Sequence, residues 1–279
     1  MKIGLFGINM GACVDPETAA RVAAGAEAAG FDSVWTGEHV VLPEPQTPDS
    51  PIPARTPLLH PSVALAHIAA HTKRLRLATG IVILPQRNPV VLAKELASLD
   101  VICGGRLTFG LGVGYIQKEF AACGIPFAER GARTDEAIAV LRNLWTAEKP
   151  EFDGRFFQYS GVDAHPRPIQ KPHPPIIVGG MSSPALRRAA QLGDGWYGFA
   201  LDLDSTQRCL QELKTARDQF GRSGSEENFE ITVTPSIPID RDALAQFEDI
   251  GVDRVAPIAR GDDAEAVLQF IDQVAEAAA

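Results

Sequence analysis

Glu38 and His39 stand side by side at the end of the run Ser33-Val-Trp-Thr-Gly-Glu-His. An imidazole changes charge near neutral pH, so this pair suits proton transfer to or from a reacting hydroxyl or carbonyl. It would serve equally well to tie down the loop that follows. The stretch Gly179-Gly180-Met181-Ser182-Ser183-Pro184 offers different chemistry. Two glycines allow a tight turn, and a helix opening at Pro184 aims unpaired N–H groups into the same space, which suits a phosphate. A plain strand-to-helix turn with a serine cap has the same sequence. Gly80, within Ala78-Thr-Gly-Ile-Val-Ile-Leu-Pro-Gln-Arg-Asn-Pro, weakens a strand. Such a glycine marks either a bulge where a ligand nears the backbone or relief of crowding in a narrow barrel. Asn88-Pro89 reads as an ordinary helix cap and first helical residue.

Spacing argues against other chemistries. His67 and His71 are four apart, but Ile-Ala-Ala lies between them where a zinc protease needs a glutamate. His60, His165 and His173 fall in proline-rich loops, so no metal centre is expected. No G-x-S-x-G elbow marks a serine hydrolase. Gly110-Leu-Gly112-Val-Gly114 lacks the final spacing of the dinucleotide fingerprint and runs into Tyr115 without a prompt helix start.

The elements that must carry these residues alternate between two periods. Eight β-rich runs are predicted as strands: Ile3–Phe6, Ser33–Trp35, Leu75–Leu84, Arg106–Val113, Ile176–Gly179, Gly195–Phe199, Phe229–Thr234 and Val252–Ile258. Helical patterns lie between them. Asp15 is expected to cap one helix, Thr134 to open another and Ser183 to cap a third, while Asp262 and Glu265 have capping-box spacing. Repeated β–α units imply a parallel sheet, and eight of them are the number for a closed (β/α)₈ barrel of the α/β class, with an open doubly wound sheet as the rival. In a barrel, residues just beyond the strands gather at the carboxyl rim. The loop Val40–Pro61 has seven prolines and should hang over that rim, and Phe152 to Tyr159 should form a small hairpin. We find no repeat and no hinge-like linker, so residues 1–279 are read as a single domain.

The 279 residues are 45% hydrophobic and 22% charged, which fits a folded globular chain. A net charge of −9 opposes the counterion-release attraction behind nucleic-acid binding, and disfavours anionic membranes. Cys13, Cys103, Cys123 and Cys209 form no C-x-x-C pair, so a reducing cytoplasm is the expected location. The apolar run Ile3 to Cys13 carries a single preceding lysine and includes Asn9 and three glycines. It reads as a buried strand, not a signal peptide.

Four segments together resemble the bacterial luciferase-like flavin and deazaflavin oxidoreductases, and within them the F420-dependent subgroup. They are Ala28 to His39, Leu77 to Pro89, Gly105 to Gly114, and Pro175 to Gly180 continuing to Gly193-Asp-Gly-Trp. The resemblance implies a (β/α)₈ barrel, commonly dimeric, that binds FMN or coenzyme F420 at the carboxyl end of its strands. It assigns Gly80-Ile81 to a non-prolyl cis peptide behind the flavin-like ring, Gly112 and Gly114 to the ring pocket, and Gly179, Gly180, Met181 and Ser182 to the cofactor phosphate. His39 then stands near the reactive ring carbon as proton acceptor or donor, with Glu38 orienting that histidine or the ring. Where sugar-phosphate-oxidising relatives carry a glutamate acid, this chain has Gln117; Glu119 is nearby but out of register, and the substrate stays open. The expected activity is F420-dependent hydride transfer to or from a small organic substrate. The alternatives are an FMN-dependent monooxygenase supplied by a partner reductase, and a flavin-binding protein without turnover. A homodimer is expected from the resemblance; the alanine- and leucine-rich helices around Val63–His71 and Val90–Leu99 suit a partner face, and packing on the barrel explains them equally well.

Overall fold

The β-branched and aromatic runs form strands because their side chains are buried on both faces, inside against one another and outside against helices. A computed structural model describes residues 1–222 and 229–279. All eight predicted strand positions are occupied by β1 (Lys2–Phe6), β2 (Ser33–Thr36), β3 (Arg76–Thr79) continued by β4 (Val82–Ile83), β5 (Leu107–Gly112), β8 (Ile176–Gly179), β9 (Gly195–Leu201), β10 (Glu230–Pro235) and β11 (Arg254–Val255). The predicted hairpin supplies β6 (Phe152–Asp153) and β7 (Gln158–Tyr159), paired antiparallel. Barrel neighbours pair in parallel, and the ring closes through β11 onto β1 and through β3 onto β5, which eliminates the open sheet.

Around the ring run α1 (Pro16–Ala28), α2 (Pro61–His71), α3 (Pro89–Ile102), the short α4 (Gln117–Ala122), α5 (Arg130–Thr146), α6 (Ser183–Leu192), α7 (Leu203–Gln219), α8 (Arg241–Asp249) and α9 (Ala264–Ala278). Asp15 caps α1 through the Thr18 N–H at 2.8 Å, and Asn88 caps α3 through Val90 N–H at 2.9 Å, as expected. Three helix starts fall elsewhere than read. α5 begins four residues before Thr134, whose hydroxyl turns back to the Arg130 carbonyl. The cap of α6 is Ser182, not Ser183, and that of α9 is Asp263, not Asp262. In each case a neighbouring residue of the same capping chemistry, or a preceding turn, competes for the position.

Two apolar layers result. The larger lies between sheet and helices. The smaller fills the barrel with Phe6, Trp35, Ala78, Ile177, Tyr197 and Ala256. Trp35 and Tyr197 stack there at 5.1 Å between ring centres, and the Tyr197 hydroxyl bonds Thr234 Oγ1 at 2.6 Å. Burial holds that phenol strongly in its neutral form.

At the amino ends of the strands, Arg254 is buried and forks onto Asp32, with Nε and Nη2 each 2.7 Å from a carboxylate oxygen. Its Nη1 donates to Glu230, which also accepts from Lys2 Nζ at 2.8 Å. This cluster ties together β1, β2, β10 and β11, the arc at which the chain's two ends meet.

Candidate active site

At the opposite end, the loop after β2 leaves the barrel at Gly37. One buried side chain fixes both of its ends: Asn9 donates to the Gly37 carbonyl at 2.9 Å and the Leu59 carbonyl at 2.6 Å, and accepts from the Gly37 N–H at 2.9 Å. The proline-rich segment 40–60 is thereby held at the carboxyl rim, where the sequence placed it. Just before this segment stands His39.

His39 Nδ1 lies 3.2 Å from Oε2 of Glu119, and the other oxygen of that carboxylate accepts the Val40 N–H at 2.6 Å. The His39 side chain retains 11% exposure and that of Glu119 none. Tyr115 sets its ring edge-on to His39, 6.0 Å between centres. Burial, and then the charges of Glu119 and Asp49, push its phenol above the usual range. Glu38 points elsewhere. It accepts the Ile83 N–H at 2.6 Å and pairs with the Arg87 guanidinium, so it anchors the turn after β4 and does not orient His39.

Sequence reading therefore attached the wrong carboxylate to the histidine. Gln117 is exposed, and Glu119, taken to be out of register, is the residue turned inward. The signal was present: Ile116, Glu119 and Phe120 have i, i+3, i+4 spacing, and all three are buried. A carboxylate on the apolar face of a short helix must find donors, and Glu119 finds two.

The Gly80–Ile81 peptide is cis, at the position the resemblance assigned. The Ile81 side chain stands at the mouth in a cradle of main chain. A Cβ on Gly112 would fall 2.8 Å from Ile81 Cδ1, and one on Gly179 would fall 2.7 Å from Ile81 Cγ2. Both contacts are too close for any side chain to be tolerated without a shift. Gly112 is thus accounted for by packing on Ile81. Gly114 serves a similar end, since a Cβ there would meet Ile83 and Phe120 at 2.6 and 2.8 Å. It packs the β5–α4 turn against Ile83 and Phe120.

Beyond β8, Gly180 has a φ of 122°, a conformation that glycine adopts readily and other residues rarely. Its carbonyl accepts the Trp196 indole N–H at 2.8 Å. Met181 and Ser182 are exposed, and the Ser182 hydroxyl makes no capping bond although it occupies the cap position of α6. The first N–H groups of α6 have no acceptor within the helix.

His39, Gly80–Ile81, Gly112 and Gly179 to Ser182 thus share one rim, and Glu38 is turned to Ile83 and Arg87. Exposed apolar side chains follow several strand ends around that rim: Val40, Tyr115, Met181 and Ile258, together with Phe199 near the end of β9. The buried Phe6 packs against Phe199, 5.0 Å between centres. Some polar atoms here are buried without a partner among the described residues, including Thr36 Oγ1 and both amide atoms of Gln86. A cleft of about 630 Å³ opens between the ends of β9 to β11 and α9, across the mouth from His39, and Arg260 is the charged residue on its wall. No group of three potential metal ligands gathers among the described residues. His67 and His71 bond to carbonyls of Pro16 and His67. The four cysteines are free thiols, and burial pushes that of Cys13 up to about 11. No helix among the described residues is long and apolar enough to cross a membrane.

The luciferase-like monooxygenase family profile matches residues 5–274. An uncharacterized protein of Mycobacterium tuberculosis is 32% identical over 285 residues, covering 96% of each chain. The FMNH(2)-dependent dimethylsulfone monooxygenase of Pseudomonas putida is 35% identical over 142 residues, which is 50% of this chain and 39% of that one. An F420-dependent secondary alcohol dehydrogenase solved with an F420-acetone adduct shares the fold with a TM-score of 0.79, 18% identity, and coverage of 99% and 97% of the two chains. A closed eight-stranded barrel, a carboxyl rim that collects the candidate residues, and a profile match over nearly its whole length place this chain in the luciferase-like monooxygenase family of flavin- and F420-dependent oxidoreductases.

Proposed function

We propose that this chain is an F420-dependent oxidoreductase that interconverts a small alcohol and the corresponding carbonyl compound. The observation that carries this reading is His39, held by a buried carboxylate at the edge of an apolar mouth. Alcohol oxidation requires a group that takes the hydroxyl proton as hydride leaves, and an imidazole beside the mouth meets that requirement.

The residues present fit a flat tricyclic ring with an anionic tail. Ile81 and Phe199 offer apolar surface at the mouth. The unpartnered Thr36 hydroxyl and Gln86 amide are buried polar groups of the kind that a ring's carbonyl and N–H edge would satisfy. Gly179 to Ser182, with the uncommitted Ser182 hydroxyl and the opening turn of α6, would hold the phosphate. When bound, the deazaflavin supplies the hydride acceptor or donor, and that chemistry belongs to the cofactor. The chain's part is to seat the ring, exclude water with the loop pinned by Asn9, and exchange a proton at His39.

A second reading, an FMN-dependent monooxygenase fed by a reductase, is favoured by the Pseudomonas putida relative. Titrating the purified chain with F420 and with FMN, followed by absorbance and fluorescence, separates the two. F420 binding with weak or absent FMN binding is expected. Tight FMN binding without F420 binding would overturn the proposal in favour of the second reading.

A further inference from the structure

Glu119 is bound by two donors of unequal freedom. The Val40 backbone N–H, 2.6 Å from Oε1, can only donate. Nδ1 of His39, 3.2 Å from Oε2, can donate or accept according to where the ring proton sits. A carboxylate has no proton to offer at either oxygen, so with the backbone bond fixed the imidazole is driven to carry its proton on Nδ1. The side chain of Glu119 is fully enclosed, and water cannot relieve a mismatch there. Nε2 is the ring nitrogen for which no bond to a described protein group is found.

We propose that Glu119 is the positioning residue of this site: it holds neutral His39 in the Nδ1–H tautomer and thereby leaves the Nε2 lone pair free to accept a proton from substrate. The functional half of this inference rests on the reading of His39 as acid and base; the tautomer half does not. Glu38, adjacent in sequence, has no part in it, because its oxygens are spent on Ile83 and Arg87.

A sharp consequence concerns Glu119→Gln, which has nearly the same shape. The fixed Val40 N–H claims the single amide oxygen, so the amide NH₂ must face Nδ1. Nδ1 then has to accept, and the ring proton moves to Nε2. An isosteric substitution should therefore invert the tautomer instead of merely loosening the ring.

Histidine labelled with ¹⁵N, observed through two-bond ¹H–¹⁵N correlations at a pH where the ring is neutral, reports the tautomer directly. The His39→Gln variant identifies the His39 signals. Wild-type protein is expected to show Nδ1–H and Glu119→Gln to show Nε2–H. Wild-type His39 in the Nε2–H form, or an unchanged pattern in Glu119→Gln, would overturn the assignment; should that variant not fold, the wild-type spectrum still decides it. With whichever cofactor binds, Glu119→Gln is expected to lower kcat roughly 100-fold while cofactor affinity holds. Tautomer inversion with kcat unchanged would refute the functional half. An unchanged kcat in His39→Gln would refute the acid–base reading of His39 while leaving the tautomer result standing.

Discussion

The two ends of the barrel use polar groups in opposite ways. At the amino end, Arg254 forks onto Asp32 and reaches Glu230, Lys2 completes Glu230, and Arg106 donates to the Ala69, Thr72 and Leu75 carbonyls. Every guanidinium nitrogen of Arg254 and of Arg106 meets an acceptor of the chain's own. At the carboxyl end the pairs His39–Glu119 and Glu38–Arg87 are also made, yet among the described residues Thr36 Oγ1 and the Gln86 amide are buried without a partner, and the exposed Ser182 hydroxyl makes no cap bond. Saturation at one end closes the ring of strands; incomplete saturation at the other leaves groups able to bond something that is not protein.

The largest expected effect breaks the saturated end. Arg254→Met would strand Asp32 and Glu230 with no guanidinium, and loss of one partner of a buried pair costs about 3–5 kcal/mol. Denaturant unfolding should show a loss of that size, and a loss under about 1 kcal/mol would mean that the cluster does not close the barrel. The pH dependence sharpens the point. Burial raises the Glu230 pKa, but Arg254 and Lys2 outweigh it and hold the carboxyl below its ordinary value of 4.5. The stability Glu230 contributes is then complete above about 4.5 and is lost as pH falls through the lower folded-state value. Arg254→Met should weaken that acid sensitivity, as unfolding measured from pH 6 downward would show.

Next in size is Asn9, whose side-chain amide bonds the main chain at both ends of the rim loop. Asn9→Leu leaves the Gly37 N–H and the Gly37 and Leu59 carbonyls unpaired, and a buried unsatisfied group costs roughly 1–3 kcal/mol. Stability is expected to fall by about 3 kcal/mol, with proteolysis within segment 40–60 well before global unfolding. Resistance of that segment in the variant would show that something other than Asn9 holds the loop.

The smallest effect on stability, near zero, is expected at the uncommitted end. Replacing a capping serine commonly costs about 1 kcal/mol, but the Ser182 hydroxyl makes no cap bond. Ser182→Ala should leave the melting temperature unchanged while weakening affinity for the phosphate-bearing cofactor several-fold in the same titration. A drop in melting temperature without a change in affinity would move Ser182 from binding to structure.

Much of this was legible in the chain. Eight strand positions, the hairpin at Phe152 to Tyr159, the rim loop and the caps at Asp15 and Asn88 follow from local periodicity and turn chemistry. That His39 and Gly179 to Ser182 would share a rim was legible, because residues just beyond the strands of a barrel gather at its carboxyl end. Glu119 was misread through reliance on alignment to a family position, although the spacing of Ile116, Glu119 and Phe120 already put it on a buried face. Of the roles read for Glu38, orienting His39 is the one its bonds exclude, because adjacency in sequence does not turn two side chains to one partner. At the end of a strand, successive side chains point to opposite sides.

The sequence by itself determined which segments alternate between extended and helical form, because that information lies in neighbours a few residues apart. Only the tertiary structure decided that Glu119, 80 positions from His39, is its partner, that Ile81 occupies the space left by Gly112 and Gly179, and that Arg254 joins Asp32 across 222 residues. Such pairings depend on where closure of the ring brings distant strands together, and no local period encodes that meeting.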